Sequence, residues 1–115
     1  YSLPQIATVG YTEQQLKDNK IPYKKGNFPF LANGKSQTMS NVHGFVKTLF
    51  NSETGEFLGA HLIGPDVTEM ISNFGLAMTS ESTEDEFINT IFAHPTLSES
   101  IHESVLSAFD KPLHF

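Results

Sequence analysis

Apolar residues fall in short β-branched runs in the first half of the chain and at helical spacing in the second half. Ile6-Ala7-Thr8-Val9-Gly10-Tyr11 reads as a short strand, and Thr12 followed three positions later by Gln15 marks a capped helix start over 13–19. After Pro22, residues 23–30 read as an extended strand. Asn33-Gly34-Lys35-Ser36 is turn chemistry whose glycine accepts positive φ. Residues 44–50 and 57–63 are two strand-like runs either side of the polar cluster Asn51-Ser52-Glu53-Thr54-Gly55-Glu56, which predicts a hairpin with a loop longer than two residues.

Beyond Gly64-Pro65 the period changes. Asp66 and Glu69 form an N-cap and N3 pair ahead of Val67, Met70, Ile71, Phe74, Ala77 and Met78, one apolar helix face suited to pack on a sheet. Thr83 and Glu86 repeat the capping signature before Phe87, Ile88, Ile91 and Phe92. Leu97, Ile101, Val105, Ala108 and Phe109 predict a last helix. Strands first and helices last predict an α+β fold in which helices cover an antiparallel β-sheet, because a doubly wound fold needs the two to alternate.

The length of 115 residues suits a single domain spanning 1–115. Thirteen acids against seven bases give a net charge of −6, and the longest basic run is Lys24-Lys25, so no footprint for nucleic acid exists. Absence of cysteine excludes thiol or thiolate chemistry by the chain itself. No apolar stretch approaches the roughly 20 residues that span a bilayer, and the expectation is a soluble domain without a membrane partner. No Gly-x-Gly-x-x-Gly, P-loop or Gly-x-Ser-x-Gly pattern occurs, so neither a phosphate cradle nor a serine nucleophile is encoded.

Chemistry concentrates in Ala93-His94-Pro95-Thr96-Leu97-Ser98-Glu99. Histidine titrates near neutrality, and a carboxylate on one ring nitrogen fixes the tautomer so that the other can take or give a proton. A turn at Pro95 would let Glu99, in the first turn of the last helix, reach the ring of His94. Two other readings stay open. Thr96 and Glu99 also form a capping box, which needs no catalysis. Glu99 and His102 also match one Glu-x-x-His element of carboxylate-bridged metal sites, although only one such element is present and no metal site is expected. His43, His61 and His114 have no acid at ligand spacing and are assigned no role.

The run His94-Pro95-Thr96-Leu97-Ser98-Glu99 resembles the active-site signature that ends the flavin-dependent pyridine nucleotide–disulfide oxidoreductases. Ala93 and Leu97 bring it nearest to the members that oxidise dihydrolipoyl groups. Pro4-Gln5-Ile6-Ala7-Thr8-Val9-Gly10 with Thr12-Glu13, Gly44-Phe45-Val46-Lys47, Gly59-Ala60-His61-Leu62-Ile63-Gly64-Pro65 and the Lys111-Pro112-Leu113-His114 tail follow in the order of that family's dimerisation domain. Phe74, residues 79–82 and residues 107–111 depart from the pattern, away from His94 and Glu99.

The resemblance implies a C-terminal dimerisation domain whose FAD domain, NAD domain and redox-active cysteine pair lie outside this chain. FAD and NAD are then cofactors of the parent, with none expected in the isolated chain, which should be inactive. It implies that His94 exchanges protons with the dithiol substrate and that Glu99 orients it. It also implies that His94 and Pro95 approach the flavin of the partner subunit in a homodimer. The implied reaction is dihydrolipoyl plus NAD⁺ to lipoyl plus NADH. The implied further partner is the acyltransferase subunit of a 2-oxo acid dehydrogenase complex, in a bacterial cytoplasm or a mitochondrial matrix. A non-catalytic dimerisation module, or the same domain of another disulfide reductase, is the alternative.

Overall fold

A computed structural model describes residues 5–29, 44–64, 67–89 and 99–109. Strand β1 (Gln5–Gly10) runs into helix α1 (Glu13–Asp18), which starts where the sequence predicts. The Thr12 hydroxyl accepts from the Gln15 amide at 3.1 Å while the Gln15 side chain accepts from the Thr12 amide at 2.9 Å, so two otherwise orphaned donors are satisfied. Strands β2 (Tyr23–Pro29), β3 (Phe45–Asn51) and β4 (Phe57–Gly64) complete a four-stranded antiparallel sheet in the order β1-β4-β3-β2. The predicted hairpin joins β3 to β4. Asn51 organises its loop by accepting from the amides of Glu53 and Thr54, and Gly55 supplies the φ of +80° that closes it.

Helices α2 (Val67–Thr79), α3 (Glu84–Asn89) and α4 (Glu99–Phe109) cover one face of the sheet, giving the predicted α+β arrangement. Val67, Met70, Phe74 and Ala77 of α2 are buried in the main core with Ile71 and Met78 packed at its margin, the face that the helical period marks. Phe74 fits this core: its ring stacks on Phe57 with centroids 5.5 Å apart, and Phe50 and Phe87 complete the aromatic cluster. At the start of α3 the Glu86 carboxylate accepts from the Thr83 amide at 2.7 Å and from its hydroxyl at 3.0 Å, and these bonds hold its pKa below the usual value. The predicted cap at Asp66, the turn at 33–36 and the segment from Ile91 to Leu97 lie outside the described residues.

The opposite face carries a smaller core of Leu16, Tyr23, Leu49 and Leu58, roofed by α1. A register shift divides the two faces. Leu49 pairs with Gly59, but Phe50 pairs with Phe57, so Leu58 is an extra residue and the side chains before it change sides. Phe57 therefore enters the main core and Leu58 the smaller one, the reverse of what strict alternation from Ala60 would give. An ionic cluster fastens α1 to this face. Glu13 accepts from the Tyr23 hydroxyl at 2.8 Å and from Lys47 at 3.0 Å, with Lys25 at 3.5 Å.

Candidate active-site segment

Glu99 is the first residue of α4 and is half-buried. His94 and Pro95 lie outside the described residues, as do Thr96 and its capping box. What the structure does define is how the helix that carries Glu99 is fixed, and three contacts do this.

First, α4 crosses the sheet at Gly26 of β2, where a Cβ would lie 1.8 Å from the Ser104 carbonyl oxygen. Only a glycine lets the helix backbone approach this closely. Second, the hydroxyls of Thr48 and Ser104, both fully buried, hydrogen-bond at 2.9 Å. Third, the Ser107 hydroxyl accepts from the Asn27 amide at 2.9 Å and shares its own proton between the carbonyls of Ser104 and Asn27, so α4 uses an outward-facing amide of the edge strand. Glu99 stands five residues from Ser104, about 7.5 Å along the axis. Its Cα is therefore held by a rigid anchor.

His102, one turn into α4, makes a fourth connection: its Nε2 lies 2.9 Å from the Ile88 carbonyl oxygen in α3, and a carbonyl only accepts, so the ring donates. Residues 90–98, which include His94, thus leave from and return to two helices tied to each other.

The use of that nitrogen also bears on the metal reading of Glu99 and His102. No cluster of three or more metal-ligating side chains occurs among the described residues. His61 likewise donates from Nε2 to the Tyr11 carbonyl at 2.9 Å, an architectural role, while His43 and His114 lie outside the described residues. Sequence reading missed the anchoring group. Its only trace was small side chains at Ser100, Ser104 and Ala108, spaced four apart on the face of the last helix that turns to the sheet.

Of the described glycines, Gly10, Gly26, Gly44 and Gly59 each face the chain's own backbone, at Leu58, Ser104, Ile63 and Tyr11, and Gly55 faces the Glu84 carboxylate. They are packing glycines, not a phosphate cradle, and the described residues do not fit a dinucleotide. No helix among them is long and apolar enough to cross a membrane.

The fold and the anchored helix define an α+β domain that presents a carboxylate at a helix start and has no nucleotide cradle among its described residues. The chain belongs to the pyridine nucleotide-disulphide oxidoreductase dimerisation-domain family, whose model matches residues 1–105. It is 51% identical over all 115 residues to a dihydrolipoyl dehydrogenase of Zymomonas mobilis, covering 25% of that protein, and 47% identical over 115 residues to that of Bacillus subtilis, covering 24%. Among solved structures it resembles LpdA from Mycobacterium tuberculosis, with a TM-score of 0.84 and 27% identity over 90% of this chain and 22% of that one. It also resembles the HOCl-induced flavoprotein disulfide reductase RclA from Escherichia coli, with a TM-score of 0.83 and 25% identity over 91% of this chain and 26% of that one. The chain spans about a quarter of the length of the curated relatives it matches.

Proposed function

We propose that the 115 residues act as the single dimerisation domain of a dihydrolipoyl dehydrogenase. The parent would oxidise dihydrolipoyl groups with NAD⁺ as a homodimer, using FAD, NAD and a cysteine pair held outside this chain. The observation that carries this reading is the identity to bacterial dihydrolipoyl dehydrogenases along the whole chain.

His94 is the acid–base residue in this reading. It takes a proton from the dithiol substrate, so that the thiolate, the nucleophilic form, is available for exchange with the redox disulfide. Glu99 fixes the imidazole tautomer and steadies the imidazolium, and the anchoring of α4 at Gly26, Thr48 and Asn27 supports that positioning. In this reading His94 and Pro95 are the residues that come near the partner subunit's flavin. FAD supplies the electron relay when bound in the parent; the residues of this chain supply only proton handling and position.

The acyltransferase subunit of a 2-oxo acid dehydrogenase complex is the proposed further partner, and the net charge of −6 suits a basic docking segment. The proposed compartment is the bacterial cytoplasm or the mitochondrial matrix.

The test is dihydrolipoamide-dependent NAD⁺ reduction by the full-length parent. His94→Gln is expected to lower turnover by about 10²-fold or more with flavin content unchanged. Glu99→Gln keeps a side chain able to cap at N3 but removes its charge. Activity lost with stability kept supports the pair, whereas normal turnover in both variants would mark a non-catalytic dimerisation module.

A further inference from the structure

The β3–β4 hairpin bonds beyond its own sheet, to the start of α3. The Gly55 carbonyl accepts from the Glu84 amide at 3.0 Å, and the Phe57 amide donates to the Ser82 carbonyl at 3.0 Å, on either side of an antiparallel bridge between Glu56 and Thr83. The loop that makes these bonds is itself fixed: Gly55 is buried, its amide donates to the Asn51 carbonyl at 2.8 Å, and its φ is +80°, a conformation that a side chain disfavours. Side chains repeat the connection. Phe50 and Phe57, paired across the base of the hairpin, have ring centroids 5.7 and 5.3 Å from that of Phe87 in α3. Phe57 reaches Phe87 only because Leu58 is the extra residue of the register shift; strict alternation would turn Phe57 to the α1 face. Bulges recur where a side chain must be re-aimed beside a functional site.

We propose that Gly55 is a positioning residue for the acid–base segment, acting through α3. The hairpin holds α3 at its first turn and His102 holds it at its last, so together they set where residues 90–98 depart. The proposal rests on the reading of His94 as the acid–base group. Helix α3 has six residues, about 9 Å of length, so a shift at Glu84 is carried to Asn89 with little chain to absorb it. Chain reversal alone does not need the bonds to α3, because the Asn51 side chain already ties the loop through the amides of Glu53 and Thr54. Position 55 admits only a glycine for two separate reasons. A Cβ there would strain the positive φ, and the three atoms nearest to it would be those of the Glu84 carboxylate. Both effects push α3 away from the hairpin.

The test uses the full-length parent. Gly55→Ala is expected to lower kcat for dihydrolipoamide-dependent NAD⁺ reduction about 5- to 20-fold, within the 10²-fold that a 1 Å misplacement can cost. Flavin content and KM for NAD⁺ should not change. The acid limb of the pH–kcat profile should move to lower pH, because an imidazolium less well faced by the Glu99 carboxylate gives up its proton more readily. Gly55→Asn combined with Glu84→Ala should recover most of the turnover, since Asn tolerates positive φ and the second change clears the space. Glu84→Ala alone keeps the backbone bond and should match the wild type. Amide exchange over residues 84–98, compared with β4 and measured without substrate, should quicken in Gly55→Ala and return in the double variant. If Gly55→Ala does not fold, Gly55→Asn alone, which keeps the collision without the strain, gives the same readouts. Normal turnover with an unmoved pH profile, or a loss that the double variant does not recover, overturns the proposal. A wild-type parent inactive on dihydrolipoamide but with the expected exchange response would sink the functional reading and leave the hold of Gly55 on the segment standing.

Discussion

The imidazole of His102 donates to the carbonyl oxygen of Ile88 at 2.9 Å, joining α4 to the last turn of α3 across fourteen residues. Residues 90–98 lie between these two helices, so this one bond ties the ends of the segment that contains His94. Its removal is expected to show in turnover more than in binding. His102→Leu withdraws the donor from a carbonyl at a cost of about 1 kcal/mol. In the full-length parent it should lower kcat several-fold while leaving KM for NAD⁺ unchanged. His102→Gln, whose amide can still donate, should recover part of the loss. Equal kcat values for the two variants would show that the bond does not position the segment.

Thr48 and Ser104 are buried with their hydroxyls 2.9 Å apart, so each single change leaves the other hydroxyl without this partner in a dry site. Thr48→Val and Ser104→Ala should each cost about 1–2 kcal/mol. The double change should cost less than the sum, because no stranded hydroxyl remains. Denaturant melts of the four proteins yield the coupling directly, and strict additivity would mean the two groups do not depend on each other.

Gly26→Ala asks whether the glycine is required for the approach of α4. A Cβ there meets the Ser104 carbonyl oxygen at 1.8 Å, and the obstacle is backbone, so no rotamer change relieves it. The helix must move off the sheet, at about 1–3 kcal/mol for overpacking of this kind. Since Glu99 rides on that helix, turnover of the parent should fall together with the melting temperature. A variant with normal stability and normal turnover would contradict this account of how Glu99 is placed.

Local rules made much of this legible in advance. Thr12 with Gln15, and Thr83 with Glu86, mark helix starts from three-residue spacing alone, and the α2 face follows from a 3.6-residue period. What escaped depends on partners remote in sequence. Alternation puts Leu58 in the main core, and only the register shift opposite Leu49 and Phe50 exchanges it for Phe57. Glu13 meets Tyr23 and Lys47 from ten and thirty-four residues away, a pairing that no local spacing announces. The anchoring of Glu99 escaped for the same reason: Gly26, Thr48 and Ser104 become neighbours only once β2, β3 and α4 are stacked.

The Glu13 cluster gives a pH dependence whose direction can be worked out. Burial by itself would raise the Glu13 carboxyl, but hydrogen bonds from Lys47 and Tyr23 and the charges of Lys47 and Lys25 outweigh it and bring its pKa from 4.5 down to about 2. Burial, then the bond to Glu13 and its charge, push the Tyr23 hydroxyl up to about 12. A carboxylate whose pKa is lower in the folded state stabilises that state fully above its unfolded value. The contribution then fades as pH falls from about 4.5 toward 2. The group is partly open to solvent, so the amount is roughly 1–2 kcal/mol after screening. It should appear locally as faster amide exchange in α1 at Leu16 and Lys17, relative to the β3–β4 pair, as pH is lowered through that window in the full-length parent. Lys47→Met should flatten this dependence, because it removes both a hydrogen bond to the carboxylate and a facing charge. An α1 exchange profile that is the same in the variant and the wild type would show that the ion pair does not hold the helix down.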